Sequence, residues 1–200
     1  MPTPIRFYFD FASPYAYFAA AQIDQIGQEF GREIEWRPFL MWALLKAQGI
    51  SAPFESEAKK TYLLRDMQRS AAFFGLPYQP PQKMPLSAHQ AGRLFYAVKA
   101  TDPEAALRLA RRLLAAYFAD GLDISDASTL SQIAGKAGID VQQAADAINS
   151  PAGRTGLEAA VTDAVETGVI GSPYFVVDGV GLFGADRLPQ LRWLLSGGRI

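Results

Sequence analysis

Cysteine is absent from the 200-residue sequence. That excludes disulfides, thiolate metal sites and a cysteine nucleophile. Histidine is reduced to His89 alone, which excludes a histidine-rich zinc site and argues against a Ser-His-Asp triad. An enzyme made from this chain must use hydroxyls, carboxylates and lysines, or take its nucleophile from outside the chain. An excess of either charge is missing too. Lys and Arg number 19 against 20 Asp and Glu, for a formal net charge of −1, so the basic footprint of a nucleic-acid binder is lacking. No basic block suggests membrane-surface binding. No apolar run reaches the ~18 residues of a membrane-spanning helix. Met1–Arg6 leads straight into a strand pattern, without the ordered regions of a signal peptide. The chain reads as soluble and cytoplasmic, with no nucleic acid and no membrane among its partners.

What is present is apolar material: half the residues are hydrophobic and 12% are aromatic. That suffices for a sizeable core, and the length suits one domain, or one domain with an inserted lobe. Ile5–Phe11 is an aromatic-rich run that reads as a buried strand. Ser13 and Pro14 then suit the cap and first position of a helix over Tyr15–Phe30. Glu33–Phe39 alternates polar and apolar residues and predicts a second strand, parallel to the first because a helix joins them. Met41–Ala47, Glu57–Phe74, Ser87–Lys99, Pro103–Asp120, Ser125–Ala137, Val141–Asn149 and Gly153–Glu166 all predict helices. Tyr174–Gly179 and Val180–Phe183 predict a hairpin, and Asp186–Leu195 a closing helix. The order is βαβ, a helical block, then ββα. The fold class is α/β, a thioredoxin-like fold with a large all-helical insertion. Residues 1–40 and 151–200 make the discontinuous thioredoxin-like domain, and 41–150 the helical insertion domain, packed as a second lobe with a cleft between the two.

Four segments could carry chemistry. In Asp10–Tyr17, Ser13 sits where such folds place a nucleophilic cysteine and Ala16 where they place its resolving partner. A helix N-terminus at that corner favours an anion, a thiolate above all. The plainer reading of Ser13 is a helix cap, worth ~1 kcal/mol. In Gly168–Gly179, Gly171-Ser172-Pro173 before an apolar strand reads as a tight turn, of the kind that can hold a cis-proline. Such a turn leaves backbone groups free to pair with a peptide; an ordinary turn is the plainer reading. In Leu182–Leu188, Asp186 opens the last helix and either complements its dipole or binds an α-amino end. On the helix over 57–74, Lys59, Tyr62 and Asp66 share a face, so Lys59 either is solvated or meets a carboxylate across the cleft. Phe11, Tyr15, Phe39 and Trp42 could wall a flat substrate, although core packing explains them as well. His89 reads as structural or exposed.

Asp10–Tyr17, Lys59-x-x-Tyr62-x-x-x-Asp66, Gly171-x-Pro173 and Phe183-Gly-x-Asp186-Arg187, in this order, resemble the 2-hydroxychromene-2-carboxylate isomerase family. That family is related to kappa-class glutathione transferases within the DsbA-like thioredoxin superfamily, and the resemblance runs nearly end to end. It implies glutathione as cofactor, a small aromatic substrate and a homodimer. It implies that Ser13 contacts the glutathione sulfur and stabilises its thiolate. The Ser172 backbone before Pro173 would pair with the cysteinyl part, Ala185 and Asp186 would hold the γ-glutamyl end, and Lys59 the glycyl carboxylate. The implied reaction interconverts 2-hydroxychromene-2-carboxylate and trans-o-hydroxybenzylidenepyruvate by reversible thiolate addition. Two positions depart from the family pattern: Ile50 where an asparagine is frequent, and Ser172 where an aliphatic residue is usual. Alternatives are a kappa-type transferase or peroxidase, and a non-catalytic thioredoxin-like glutathione-binding protein.

Overall fold

Alternation along the first strand sets the architecture. In a computed structural model that describes residues 2–199, β1 (Ile5–Phe9) is an inner strand, between β2 (Ile34–Pro38) and β3 (Tyr174–Val177). β4 (Val180–Phe183) completes a four-stranded sheet of order β2-β1-β3-β4. β1 and β2 are parallel, and β3 runs antiparallel to β1 and β4. Successive side chains leave a strand on opposite faces. Ile5, Phe7 and Phe9 enter one core together with Trp36, Phe175 and Val177. Tyr8 enters another with Val176 and Tyr174. Phe7 stacks on Phe175 with centroids 5.4 Å apart and meets Trp36 edge-on at 5.1 Å, the geometries that favour aromatic pairs.

The described residues form nine α-helices, several of which cover the two faces of the sheet. α1 (Pro14–Phe30) starts on the Ser13 cap and stops at Gly31, which takes the left-handed conformation. It lies on the Phe7 face, as do the amphipathic α5 (Pro103–Phe118) and α9 (Leu188–Leu195). α2 (Met41–Gln48) and α8 (Pro151–Glu166) cover Tyr8 on the opposite face through Leu44, Leu45 and Ala164. Between them in sequence come α3 (Glu57–Phe74), α4 (His89–Lys99), α6 (Ala127–Lys136) and α7 (Val141–Ile148). α4 and α8 pack closely because glycines face the partner helix. A Cβ on Gly153 would strike the Arg93 carbonyl, and one on Gly156 would meet Tyr96 at 2.7 Å. None of the described helices is long and apolar enough to cross a membrane.

The element order expected from sequence holds, with shifts at the ends. β1 stops at Phe9 rather than Phe11, because Asp10 turns the chain: the Ser13 N–H donates to the Asp10 carbonyl at 3.0 Å. α8 starts at Pro151, capped by Ser150. Asp186 lies not in the last helix but in a 3₁₀ turn, Ala185–Arg187, that leads into it.

Candidate functional site

The site grows from the end of β1. Ser13 is buried, and its Oγ accepts the Ala16 N–H at 3.3 Å, capping α1. The same hydroxyl donates to the Ser172 carbonyl at 3.0 Å. The corner and the proline turn, 159 residues apart, are thereby in direct contact. The Ser172–Pro173 peptide is cis. The Ser172 side chain is engaged as well: its Oγ accepts the Asp10 N–H at 2.8 Å. In contrast, the Ser172 N–H donates to no backbone carbonyl among the described residues. The Tyr15 N–H in the first turn of α1 likewise meets no carbonyl there. Ala16 is wholly buried.

The Ala185–Asp186 turn adjoins this corner through the Gly184 N–H, which donates to the Pro173 carbonyl at 3.0 Å. Ala185 is buried, while the Asp186 carboxylate is largely exposed, 3.5 Å from the Arg187 guanidinium. Four of the expected residues, with Ser13, are thus gathered by short backbone links. Lys59 is separate. It lies exposed in the first turn of α3, where its N–H donates to the Ser56 cap, and among the described residues it makes no hydrogen bond or ion pair with the others. Its helix is tied to the corner elsewhere: the Tyr15 hydroxyl donates to the Asp66 carboxylate at 2.6 Å. Burial and that carboxylate hold the Tyr15 phenol well above its usual pKa, so it stays protonated. Burial opposes ionisation of Asp66, but hydrogen bonds from Tyr15 and Arg69 outweigh it, and the carboxyl sits below its ordinary range.

Of the aromatic residues that could wall a substrate, Phe11 and Phe39 are core residues. Tyr15 is half-buried, and Trp42, on the first turn of α2, is 54% exposed. His89 opens α4, within 3.3 Å of the Ser87 hydroxyl. Two open hollows, about 480 and 540 Å³ in volume, lie beside Trp36 and Arg111 and between α4, α5 and α7; neither includes Ser13.

Sequence reasoning missed the role of the Asp10 carboxylate. Asp10 is 4% exposed, and its two oxygens accept the N–H groups of Ala12 at 2.8 Å and Met41 at 2.7 Å. Burial without a cationic partner pushes its pKa up to about 6, against the pull of those two backbone bonds. One signal was available: α2 has Leu40 at its N-cap, a residue that cannot cap a helix.

With this geometry in view, the relatives are informative. The DSBA-like thioredoxin domain matches residues 4–196. A 2-hydroxychromene-2-carboxylate isomerase of Sphingobium xenophagum is 31% identical over 96% of this chain and 97% of its own. Glutathione S-transferase kappa 2 of Caenorhabditis elegans is 25% identical over 96% of this chain and 91% of its own. A solved 2-hydroxychromene-2-carboxylate isomerase superposes with a TM-score of 0.86 at 24% identity, covering 96% of this chain and 94% of that one. The chain belongs to the DSBA-like thioredoxin family, beside 2-hydroxychromene-2-carboxylate isomerases and kappa-class glutathione transferases.

Proposed function

We propose that the protein is a cytoplasmic, homodimeric, glutathione-dependent isomerase of the 2-hydroxychromene-2-carboxylate type. The observation that carries this reading is Ser13: a buried hydroxyl at a helix N-terminus, against the turn before Pro173, in a chain without cysteine. The residues present fit a tripeptide thiol. The Ser172 N–H has no carbonyl partner among the described residues, and the Ser172 carbonyl keeps a lone pair beyond the one Ser13 uses. An extended peptide could add there as a strand would.

Each residue then has a task. The Ser13 hydroxyl turns from the Ser172 carbonyl to a sulfur anion, and the α1 N-terminus adds its dipole. Together they lower a thiol pKa from its ordinary value near 8.5, raising the thiolate fraction at neutral pH. The Ser172 backbone fixes the cysteinyl unit and Pro173 shapes the turn. Ala185 and Asp186 take the γ-glutamyl end, and Lys59 the glycyl carboxylate. When bound, glutathione supplies a nucleophile whose reversible addition to a conjugated double bond leaves a single bond free to rotate. The helical block over 41–150 walls the aromatic substrate, with Trp42 on that side.

The test is isomerisation of 2-hydroxychromene-2-carboxylate with and without glutathione. Turnover only with glutathione, and glutathione recovered unchanged, supports the reading; full turnover in thiol-free buffer overturns it. The similarity to kappa-class transferases favours a second reading, transfer of glutathione to an electrophile. Stoichiometric consumption of glutathione would select it. A binding protein would give calorimetric heat with glutathione and no turnover of either kind.

A further inference from the structure

We propose that Asp10 is a positioning residue that ties the Ser13 corner to α2 and so holds the Trp42 turn against the site. Its effect on turnover rests on the glutathione reading above; the tie itself does not. Asp10 places all its hydrogen-bonding groups on neighbouring segments. Its N–H donates to Ser172 Oγ, its carbonyl accepts from the Ser13 N–H, and its carboxylate takes the N–H groups of Ala12 and Met41. Four segments therefore meet on one residue: the end of β1, the start of α1, the proline turn and the start of α2.

Two observations single out the Met41 bond. α2, like α4 and α9, has no side-chain cap at its own N-cap, whereas α3, α5, α6, α7 and α8 carry Ser56, Asp102, Asp126, Asp140 and Ser150 there, each accepting an N–H from the first turn. α2 receives its acceptor from a residue 31 positions away instead. Second, the carboxylate is buried with no ion-pair partner among the described residues. Burying an unpaired charge is costly, and burial lifts this carboxyl to about 6. An asparagine would keep the turn with Ala12, which is local, through its single acceptor. Its amide nitrogen cannot accept from Met41. A carboxylate is the group that serves both N–H donors. What the second bond holds is the turn carrying Trp42, an aromatic side chain left 54% exposed one residue beyond Met41.

The experiment pairs Asp10→Asn with Met41→Pro. Proline removes the donor from the other side. It suits the first position of a helix, and Leu40 before it is already extended, at φ −100° and ψ 109°. Three quantities are read: hydrogen exchange at the Met41 amide, the glutathione dissociation constant by calorimetry, and kcat and KM for isomerisation. In Asp10→Asn the Met41 amide should exchange about tenfold faster or more. Glutathione affinity should stay within about threefold, because Ser13, Ser172, Asp186 and Lys59 are untouched, while kcat/KM for the aromatic substrate falls about tenfold. Met41→Pro should show the same split. The double variant should lose no more than either single one, because both remove one bond. Unchanged Met41 exchange, or losses in kcat/KM that multiply in the double variant, would overturn the tie. Glutathione affinity lost in step with turnover would overturn the positioning role. Should Asp10→Asn fail to fold, Met41→Pro decides alone: wild-type kcat/KM overturns the proposal and the tenfold split supports it. If the wild-type protein binds no glutathione, the proposed function fails, and the exchange measurement still decides the tie.

Discussion

The Ser13 hydroxyl donates to the Ser172 carbonyl across 3.0 Å, and the Ser172 hydroxyl accepts from the backbone of Asp10, three residues before Ser13. The two serines thus bracket the same corner from opposite sides, one through its side chain and the other through its side chain and backbone together. Ser13 can leave this contact without breaking the corner, because the Asp10–Ser172 bond persists.

Replacing Ser13 by alanine removes both the cap and the hydroxyl that would face a thiolate. The cap is worth about 1 kcal/mol, so the fold should survive with a modestly lower urea midpoint. A hydrogen bond to a charged group is worth about 1.5–3 kcal/mol, so kcat/KM should fall roughly ten- to hundredfold. Thiolate absorbance of the bound glutathione should titrate at higher pH than in wild type. An unchanged titration would remove Ser13 from the sulfur.

Valine at 172 tests the departure from the aliphatic residue usual in the family. The substitution leaves the buried Asp10 N–H without its acceptor, which should cost about 1–3 kcal/mol in urea unfolding. Glutathione affinity should change little, because backbone atoms would do the pairing. Loss of affinity without loss of stability would mean that the hydroxyl itself touches the ligand.

How far the sequence could be read follows from the same residues. Strand alternation and Ser-Pro or Asp-Pro helix starts are local signals, so β1–α1–β2 and the helical block were legible, as was Ser13 as the cap of α1. The contact of Ser13 with Ser172, and the service Asp10 gives to Met41, join segments distant in the chain and leave no periodic trace. The end of β1 was misjudged for a related reason: Phe11 continues the aromatic run, but it lies inside the turn that the Asp10 carboxylate makes with the Ala12 N–H. It reaches the core from there, edge-on to Phe9 at 5.1 Å.

Lys59→Ala and Asp186→Asn should act on affinity alone. Both side chains are exposed and neither joins the core, so unfolding free energy should move by less than about 0.5 kcal/mol. Each would remove one charged contact with an end of glutathione. Calorimetric affinity should then fall roughly five- to thirtyfold, the equivalent of about 1–2 kcal/mol. Wild-type affinity in Lys59→Ala would place the glycyl carboxylate elsewhere.

Gly153→Ala should be far more damaging than its small change suggests. The added methyl would run into the Arg93 carbonyl of α4, and backbone cannot yield as a flexible side chain does. Forcing α4 and α8 apart should cost about 1–3 kcal/mol, well beyond the fraction of a kcal/mol that alanine normally gains over glycine in a helix. A melting temperature at or above that of wild type would show that the two helices separate freely.

The buried Asp10 carboxyl makes a signed prediction about pH. Its pKa rises from 3.8 unfolded to about 6 folded. Between those values the folded state holds a proton that the unfolded state has released, so stability falls as pH rises through the window. Below 3.8 the group is protonated in both states, and above about 6 it is ionised in both. Asp10→Asn has no such titration. His89, whose pKa burial lowers, titrates equally in both proteins and drops out of the difference. Wild-type stability, measured against that of the variant, should therefore decline by about 2 kcal/mol from pH 4.5 to 7.5. Urea unfolding of both proteins across that range is the measurement. A difference that is flat, or that grows with pH, would mean that the carboxyl meets water or a cation in solution, and its burial between Ala12 and Met41 would have to be abandoned.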